Sequence, residues 1–361
     1  MSAAPRVSVI GAGAVGAACA AALARAGCRV QVFQHPGRST TAVSGGHLLL
    51  QSKQPGPVLE LAQRSLALLA DFARGREDAL GYRQRGSLLL AADPAEAETL
   101  FGRYTALRDA GVPVEWLDGP QVRRLEPAVG SNVVSGSLCP SDGQVDPVAL
   151  AGAWLRAAQA AGATCLTRRV TGFVSADAAG ITGVRAGEEL LPADAVVLAA
   201  GPWSGEIAAL AGLSLPLRPR RGVLLVGRPE GVLTGRPLLG GTYLEAKYSR
   251  GVEVAFSLQQ HPDGTCVLGG SREWVDFDDT VPAALPGTII AAGARYLPAL
   301  QTVDWGEVRV GFRPWTSEGA PYIGGSSVPG LFLACGHEGD GITLAAATAE
   351  RVTTAVLAAT S

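Results

Sequence analysis

The sequence predicts an α/β chain, α+β overall, in which a nucleotide-binding type of βαβ fold carries an inserted antiparallel sheet. Three observations predict it. The chain opens on a strand, a glycine turn, a helix and a second strand; its middle alternates helical and buried-strand patterns; and from Arg218 the pattern changes to antiparallel hairpins. With 361 residues, 47% of them apolar, there is material for about two domains and a substantial core.

After Arg6, "VSVI" is a short apolar strand, "GAGAVG" a turn, "AACAAALARAG" a helix closed by Gly27, and "RVQVF" a second strand. The turn is G-x-G-x-x-G at Gly11, Gly13 and Gly16. Gly11 permits the turn, Gly13 lets backbone approach a pyrophosphate, and Gly16 lets the helix sit close to the strand, so a Rossmann-like dinucleotide site is expected. The acid that usually follows the second strand is replaced by Gln34, which can still bond a ribose without charge assistance. No charge occurs from Val7 to Ala24, a run long enough to suggest a membrane span, but the spaced glycines and the lone Arg6 before it point to strand, turn and helix. Neither a transmembrane segment nor a signal peptide is expected, which implies a cytoplasmic location, with peripheral membrane contact through a partner left open.

Further along, Asp146–Ala163 reads as a capped helix, "LTRRVTGFV" as a strand, and "ADAVVLAAGPWS" as a buried strand ending in a turn. "RRGVLLVGRP", "GVEVAFSLQQ" and "TCVLGGSRE" read as antiparallel strands, the last two joined across "HPDG", where Asp263-Gly264 suits a tight turn. A final helix is expected from about Thr343 to Ala359. The order implies a discontinuous nucleotide-binding domain at 1–85, 138–217 and 308–361, and a substrate domain at 86–137 and 218–307.

Composition excludes several functions. Thirty basic residues against thirty-two acidic ones leave no charge excess to track a phosphate backbone, so nucleic acid is not expected as a partner. The six cysteines form no CxxC pair and no cluster with histidine, so neither a metal site nor an iron–sulfur cluster is expected.

A nicotinamide enzyme would follow its fingerprint with parallel units in direct succession; the long interruptions here favour FAD. "VSVIGAGAVG", "DGQVDP", "VVLAAGPWS", "GFRPWTSEGAPYIG" and "GHEGDGI", in that order over nearly the whole chain, resemble the D-amino acid oxidase superfamily of FAD enzymes. Within it, "GGHLLLQSKQPGPVLELA", "TYLEAKY" and "VLGGSREWVDFD" resemble the catalytic subunits of the hydroxyproline and proline dehydrogenase, opine oxidase and hydrogen cyanide synthase group.

The resemblance implies noncovalent FAD, its pyrophosphate held by Gly11, Gly13, Ala14, Val15 and Gly16, its ribose by Gln34 and its adenine by the Val170 backbone. Ala200, Gly201 and Trp203 would close the strand under the cofactor. Ser44, Gly45, Gly46 and His47 would pass along the isoalloxazine, and Gly339, Asp340, Gly341, Ile342 and Thr343 would present N–H groups to its pyrimidine end. It further implies that Arg313 takes the substrate carboxylate, with Ser257, Gln259 and His47 near the reacting atoms.

Ser257 and Gln259 share a strand face, either over the flavin or toward solvent; Tyr243, Lys247 and Tyr248 either line the pocket or lie on the surface. His337 reads as a loop histidine bonding backbone, and Glu338 and Asp340 as bonded to neighbouring N–H groups or solvent. Glycine-oxidase-like members carry a basic residue where Gly339 stands. The implied activity is an amino acid or amine dehydrogenase acting on a CH–NH or CH–NH2 donor, most readily a cyclic secondary amine such as D-hydroxyproline or proline, by hydride transfer to flavin N5. The alternatives are a glycine, sarcosine or D-amino acid oxidase using oxygen, an opine oxidase or cyanide synthase-like subunit, and an inactive flavin-binding subunit. A dehydrogenase would need an electron-accepting partner subunit or a quinone.

Overall fold

The computed structural model describes residues 4–37, 39–175, 180–249 and 251–361. Its first sheet has six strands in the order Tyr322–Gly325, Leu331–Cys335, Ala195–Leu198, Arg6–Ile10, Arg29–Phe33 and Thr164–Leu166. All neighbours pair parallel except Tyr322–Gly325, which runs antiparallel on the edge. The four central strands are largely buried on both faces, as their near-continuous apolar character demands, while the two edge strands are only partly buried. Helices Ala14–Arg25, Pro147–Ala160 and Gly341–Thr360 cover one face through Val9, Leu23, Trp154, Ala345 and Val352. The small sheet of Gly172–Ser175, Ile181–Ala186 and Glu189–Pro192 covers the other through Ile181 and Val184.

The second sheet has eight strands: Glu307–Thr316, Leu217–Gly227, Cys266–Arg272, Glu253–Gln260, Leu238–Gly240, Ser87–Ala91, Ser135–Cys139 and Glu115–Asp118. Only the pair Leu238–Gly240 with Ser87–Ala91 is parallel. Helix Leu285–Ala294 packs on this sheet, with Ile289 meeting Phe256 and Leu268 in a second core.

The structure moves several expected boundaries. Glu307–Thr316 pairs residue by residue with Leu217–Val226, so the antiparallel sheet runs past residue 308. Ser135–Cys139 likewise pairs with Ser87–Ala91 and carries the sheet past 138. "LTRRVTGFV" is not one strand: Thr164–Leu166 closes the six-stranded sheet, the chain crosses over with Val170 buried, and Gly172–Ser175 joins the small sheet. The last helix starts at Gly341, and the capped one ends at Ala160. Val7–Ala24 is a strand and most of a helix, as its glycines require. Residues 338–360 are long and apolar enough to cross a membrane by length and composition, but half of their most apolar window is buried, with Ile342, Ala349 and Val356 in the core of the first sheet.

A close backbone approach sets the position of the first helix. A Cβ on Gly16 would lie 1.9 Å from the Gly11 carbonyl oxygen, and one on Gly11, where φ is +112°, would lie 2.3 Å from the Ala199 oxygen. Strand end, turn and helix are thus locked by contacts that only hydrogen can fill. Gly16→Ala should destabilise the protein by about 1–3 kcal/mol through overpacking. Gly102→Ala, on an exposed helix face where the added Cβ meets nothing within 4 Å, should instead stabilise it by about 0.5–1 kcal/mol. Urea midpoints of the two variants check both signs.

Candidate active site

One cleft of about 480 Å³ runs from Gln34 and Val170, past Gly11–Val15 and Ala200–Trp203, to Arg272, Arg313 and Glu338. The first helix begins on it with no acidic residue in its first turn and no side-chain cap. Its N-terminal dipole end is therefore left for an anion, except that Ala14 N–H donates to Thr41 Oγ1 at 3.0 Å. The bare backbone at Gly11 and Gly13 lets a diphosphate approach. Gln34 is exposed at the strand end, its own N–H tied to the Leu166 carbonyl. A long groove of this shape, with a glycine cradle midway, fits the dinucleotide FAD.

The other residues expected to meet the cofactor divide into those that line the cleft and those that support it. Ser44, Gly45, His47, Gly339, Gly341 and Ile342 line it. Gly16 lies behind Gly11. Gly46 lies behind its loop, where a Cβ would strike the Val145 carbonyl at 2.0 Å. Thr343 Oγ1 donates to the His47 carbonyl at 3.2 Å and accepts from Leu49 N–H at 3.3 Å, so it clamps the loop instead of facing the cleft. Ser257 lines the chamber beside Gly269. Gln259 does not: its Nε2 donates to the Gly45 carbonyl and lies 2.9 Å from His261 Nε2, which makes it a brace for the Ser44–His47 loop. Tyr243 lines the chamber, Lys247 is buried beneath it, and Tyr248 is half exposed.

Asp340 corrects the reading of it as bonded to N–H groups or solvent. Its carboxylate bridges two buried ammonium groups, Lys53 Nζ at 2.8 Å and Lys247 Nζ at 2.7 Å. Burial disfavours the carboxylate, yet the two lysines hold it well below the usual carboxylate range. Burial pushes Lys53 down to about 8, although Asp340 opposes it. Burial also works against Lys247, but Asp340, Tyr248 and Glu338 leave it above the ordinary lysine value. Lys53 gives its other protons to the Leu49 carbonyl and Ser52 Oγ, and Lys247 donates to the Ser52 carbonyl.

Burial lowers His337 and His47 to about 4, so both are neutral near pH 7. His337 Nε2 bonds Thr348 Oγ1 at 2.9 Å, a side-chain partner where backbone was expected. His47 Nε2 is buried with no hydrogen-bond partner.

At the far end of the cleft the antiparallel sheet supplies three guanidinium groups. Arg220 and Arg313 stand directly opposite each other in register, as do Gly222 and Gly311. Arg313 lies across Gly222, where a Cβ would fall 2.2 Å from Nη1, and Nη1 donates to the Arg221 and Ser271 carbonyls at 3.3 and 3.1 Å. Arg220, fully buried, is pinned by the Lys247, Ala246 and Ser249 carbonyls. Arg272 joins them through a register step. Leu224 faces Gly269, but Arg221 faces Glu273, so the strand gains one residue between and turns Arg272 to the chamber side. Its guanidinium lies 4.6 Å from the Tyr243 ring centre. Burial lowers Arg220 to about 10 and also lowers Arg313, whereas Tyr243 and Glu338 outweigh burial at Arg272 and raise it.

Glu338 faces all three arginines. Its Oε2 accepts its neighbour's N–H at Gly339, while Oε1 has no hydrogen-bond partner and lies 3.8 Å from Arg272 Nε, 3.9 Å from Arg220 Nη1 and 4.0 Å from Arg313 Nε. Of this cluster only Arg313 was singled out from the sequence as a substrate ligand.

A dinucleotide groove that opens onto a buried, guanidinium-lined chamber fits a flavin-dependent oxidoreductase. The chain belongs to the FAD dependent oxidoreductase family, whose model matches residues 6–355. It is similar to glycine oxidase of Geobacillus kaustophilus, at 30% identity over 94% of this chain and 89% of that one. The crystal structure of glycine oxidase from the same organism superposes with a TM-score of 0.87 at 28% identity, covering 98% and 95% of the two chains. Iminodiacetate oxidase from Chelativorans sp. BNC1 gives 0.85 at 27% identity over 98% and 95%. A hydrogen cyanide synthase subunit of Pseudomonas aeruginosa is 26% identical over 95% and 90%. The protein is thus an FAD-dependent amino acid or amine oxidoreductase, acting on CH–NH or CH–NH2 donors.

The buried lysine–aspartate–lysine bridge gives a test of the site's frame. Asp340→Asn leaves two buried ammonium groups without their counter-charge and should cost about 3–5 kcal/mol in a denaturant titration. Arg64→Ala, which removes the exposed pair with Glu350, should leave stability nearly unchanged.

Proposed function

We propose that the protein oxidises the C–N bond of a small amino acid or secondary amine whose carboxylate is held on Arg313. The observation that carries this reading is the placement of Arg313. Its guanidinium is braced by two backbone carbonyls and lines the chamber, and a Cβ on Gly339, which lines the same groove, would fall 3.8 Å from its Nε. A planar fork fixed from behind orients a carboxylate bidentately and so fixes the carbon next to it.

FAD, when bound, supplies the two-electron acceptor that takes a hydride from that carbon. The nitrogen lone pair completes a C=N bond, and water then releases a carbonyl compound and an amine or ammonia. The chain's own residues orient and enclose the substrate: Arg313 holds the carboxylate, Tyr243, Ser257 and His47 wall the chamber, and the N–H groups at the start of the last helix, from Gly341, would face the reduced ring's negative end. His47, neutral near pH 7, adds no charge there.

D-Hydroxyproline and proline meet these requirements, with one carboxylate beside a secondary amine. So do glycine and iminodiacetate, named in the relatives at 30% and 27% identity. Those two relatives are oxidases, which supports dioxygen as electron acceptor over a partner subunit or quinone. Hydrogen peroxide formed in step with substrate by the purified holoprotein is the expected result; anaerobic flavin reduction without aerobic peroxide would indicate a carrier instead. Arg313→Leu should raise the apparent KM by about 10- to 150-fold, the equivalent of one charge-assisted interaction of about 1.5–3 kcal/mol, with the bound-flavin spectrum retained. An unchanged KM would remove Arg313 from the substrate site.

A further inference from the structure

The loop that lines the cleft through Ser44, Gly45 and His47 is held from behind by a relay that ends on a titratable ring. Gln259, fully buried, donates through Nε2 to the Gly45 carbonyl, and the same nitrogen lies 2.9 Å from His261 Nε2. A carbonyl only accepts, so the Gly45 oxygen fixes which end of the amide faces the loop. The second amide hydrogen then points at His261 Nε2, which must be a bare acceptor, with the ring proton on Nδ1. A charged ring carries N–H on both nitrogens and accepts nothing; it can only compete with Gln259 for the Gly45 carbonyl. Nor can the amide simply turn over, because its oxygen, buried without a partner, would then face the Gly45 oxygen. The surroundings do not give way either. Gln144 pairs with His47 in the two-stranded sheet and donates to the Gln260 carbonyl at 2.6 Å, tying the His261 hairpin to the same loop.

We propose that His261 is a positioning residue for the cofactor loop: the neutral ring locks Gln259 onto the Gly45 carbonyl, and the charged ring breaks that lock and weakens the hold on FAD. The ring is partly exposed, so solvent protons reach it. Burial disfavours its charged form and outweighs Asp146, Asp263 and the Gly45 carbonyl, which favour it; Arg309 adds to burial, and the ring falls below its ordinary 6.5. His47, on the loop itself, lies at about 4 and stays neutral in the same range. The locked state thus prefers the unprotonated ring. Affinity for FAD is complete above the ordinary histidine value and is lost as pH falls below it.

The test is a dilution series of the holoprotein, with released FAD followed by its fluorescence to give Kd at each pH. From about pH 7.5 to about pH 5.5 the Kd should rise about tenfold, one proton being taken up for each FAD released. His261→Gln offers Gln259 an amide oxygen that does not titrate, and should keep Kd at the upper pH within about threefold while abolishing the rise. His261→Leu, which offers no acceptor, should raise Kd about two- to tenfold at every pH and also abolish the pH dependence. Asp142, at about 6, titrates in the same window and accepts the Leu50 and Gln51 N–H groups beyond the loop. Asp142→Asn should therefore retain the tenfold rise. A Kd that does not change with pH in the unaltered protein, or a rise that survives in His261→Gln, overturns the proposal.

Discussion

Asp340 sits between two ammonium groups that arrive from different segments of the chain. Lys53 comes from the segment that follows the His47 loop, and Lys247 from the helix Tyr243–Tyr248 inserted in the antiparallel sheet. Burying either lysine alone would be strongly unfavourable; a shared carboxylate with further carbonyl acceptors makes the arrangement tolerable. The surroundings are built to suit. Arg103 grips the Gln51 and Lys53 carbonyls, and Asp142 accepts the Leu50 and Gln51 N–H groups, so the Leu49–Lys53 segment is held on several sides. The bridge therefore fixes the loop that joins strand Leu331–Cys335 to the last helix, and with it the relation of one sheet to the other at the cleft.

That fixed loop governs the chemistry available in the chamber. Glu338 is one of two non-glycine residues with positive φ among those described, at +47°. A left-handed conformation at an ordinary residue persists only where its surroundings over-determine it, and such residues gather at functional sites. Here the neighbour's N–H takes one carboxylate oxygen and the other is left aimed at the arginines. Arg220 and Arg313 face each other directly across a strand pair, an arrangement that repels unless something negative stands between. Glu338 supplies that charge, but at 3.8–4.0 Å, beyond a good hydrogen bond.

Local chemistry was legible in the sequence and long-range chemistry was not. The glycine turn could be read because its spacing, Gly11 to Gly16, lies within six residues, although the Ala199 carbonyl that closes on Gly11 comes from a strand far along the chain, and the structure places its strand and helix where that reading puts them. Arg313 was found through the motif around it. Arg272 lies inside "VLGGSREWVDFD", but strict alternation does not place it with Arg220 and Arg313; only the extra residue in its strand does. The Asp340 bridge joins residues 287 and 93 positions apart, a separation across which sequence carries no pairing signal. Gln259 was misplaced for the converse reason: alternation put it on the face of Ser257, but its amide reaches past the chamber to the Gly45 carbonyl. That the antiparallel sheet takes in Ser135–Cys139 and Glu307–Thr316 was not legible, because composition changes gradually where hydrogen bonding changes abruptly.

The same arrangement accounts for how the fold accommodates a site this positive. Three guanidinium groups in one buried place would destabilise the sheet by mutual repulsion if left uncompensated. Backbone carbonyls take much of the load at Arg220 and Arg313, the Tyr243 ring faces Arg272, and a single carboxylate sits among all three. These contacts hold the fork geometry in place while leaving the charge itself only partly neutralised. A bound anion then gains attraction without having to reorder the groups that attract it, which is the condition under which fixed charges contribute most to binding and orientation. On the proposed reading of Arg313 the balance has two limits: complete pairing within the chain would leave no charge for a substrate carboxylate, and no pairing would leave three buried guanidinium groups repelling one another.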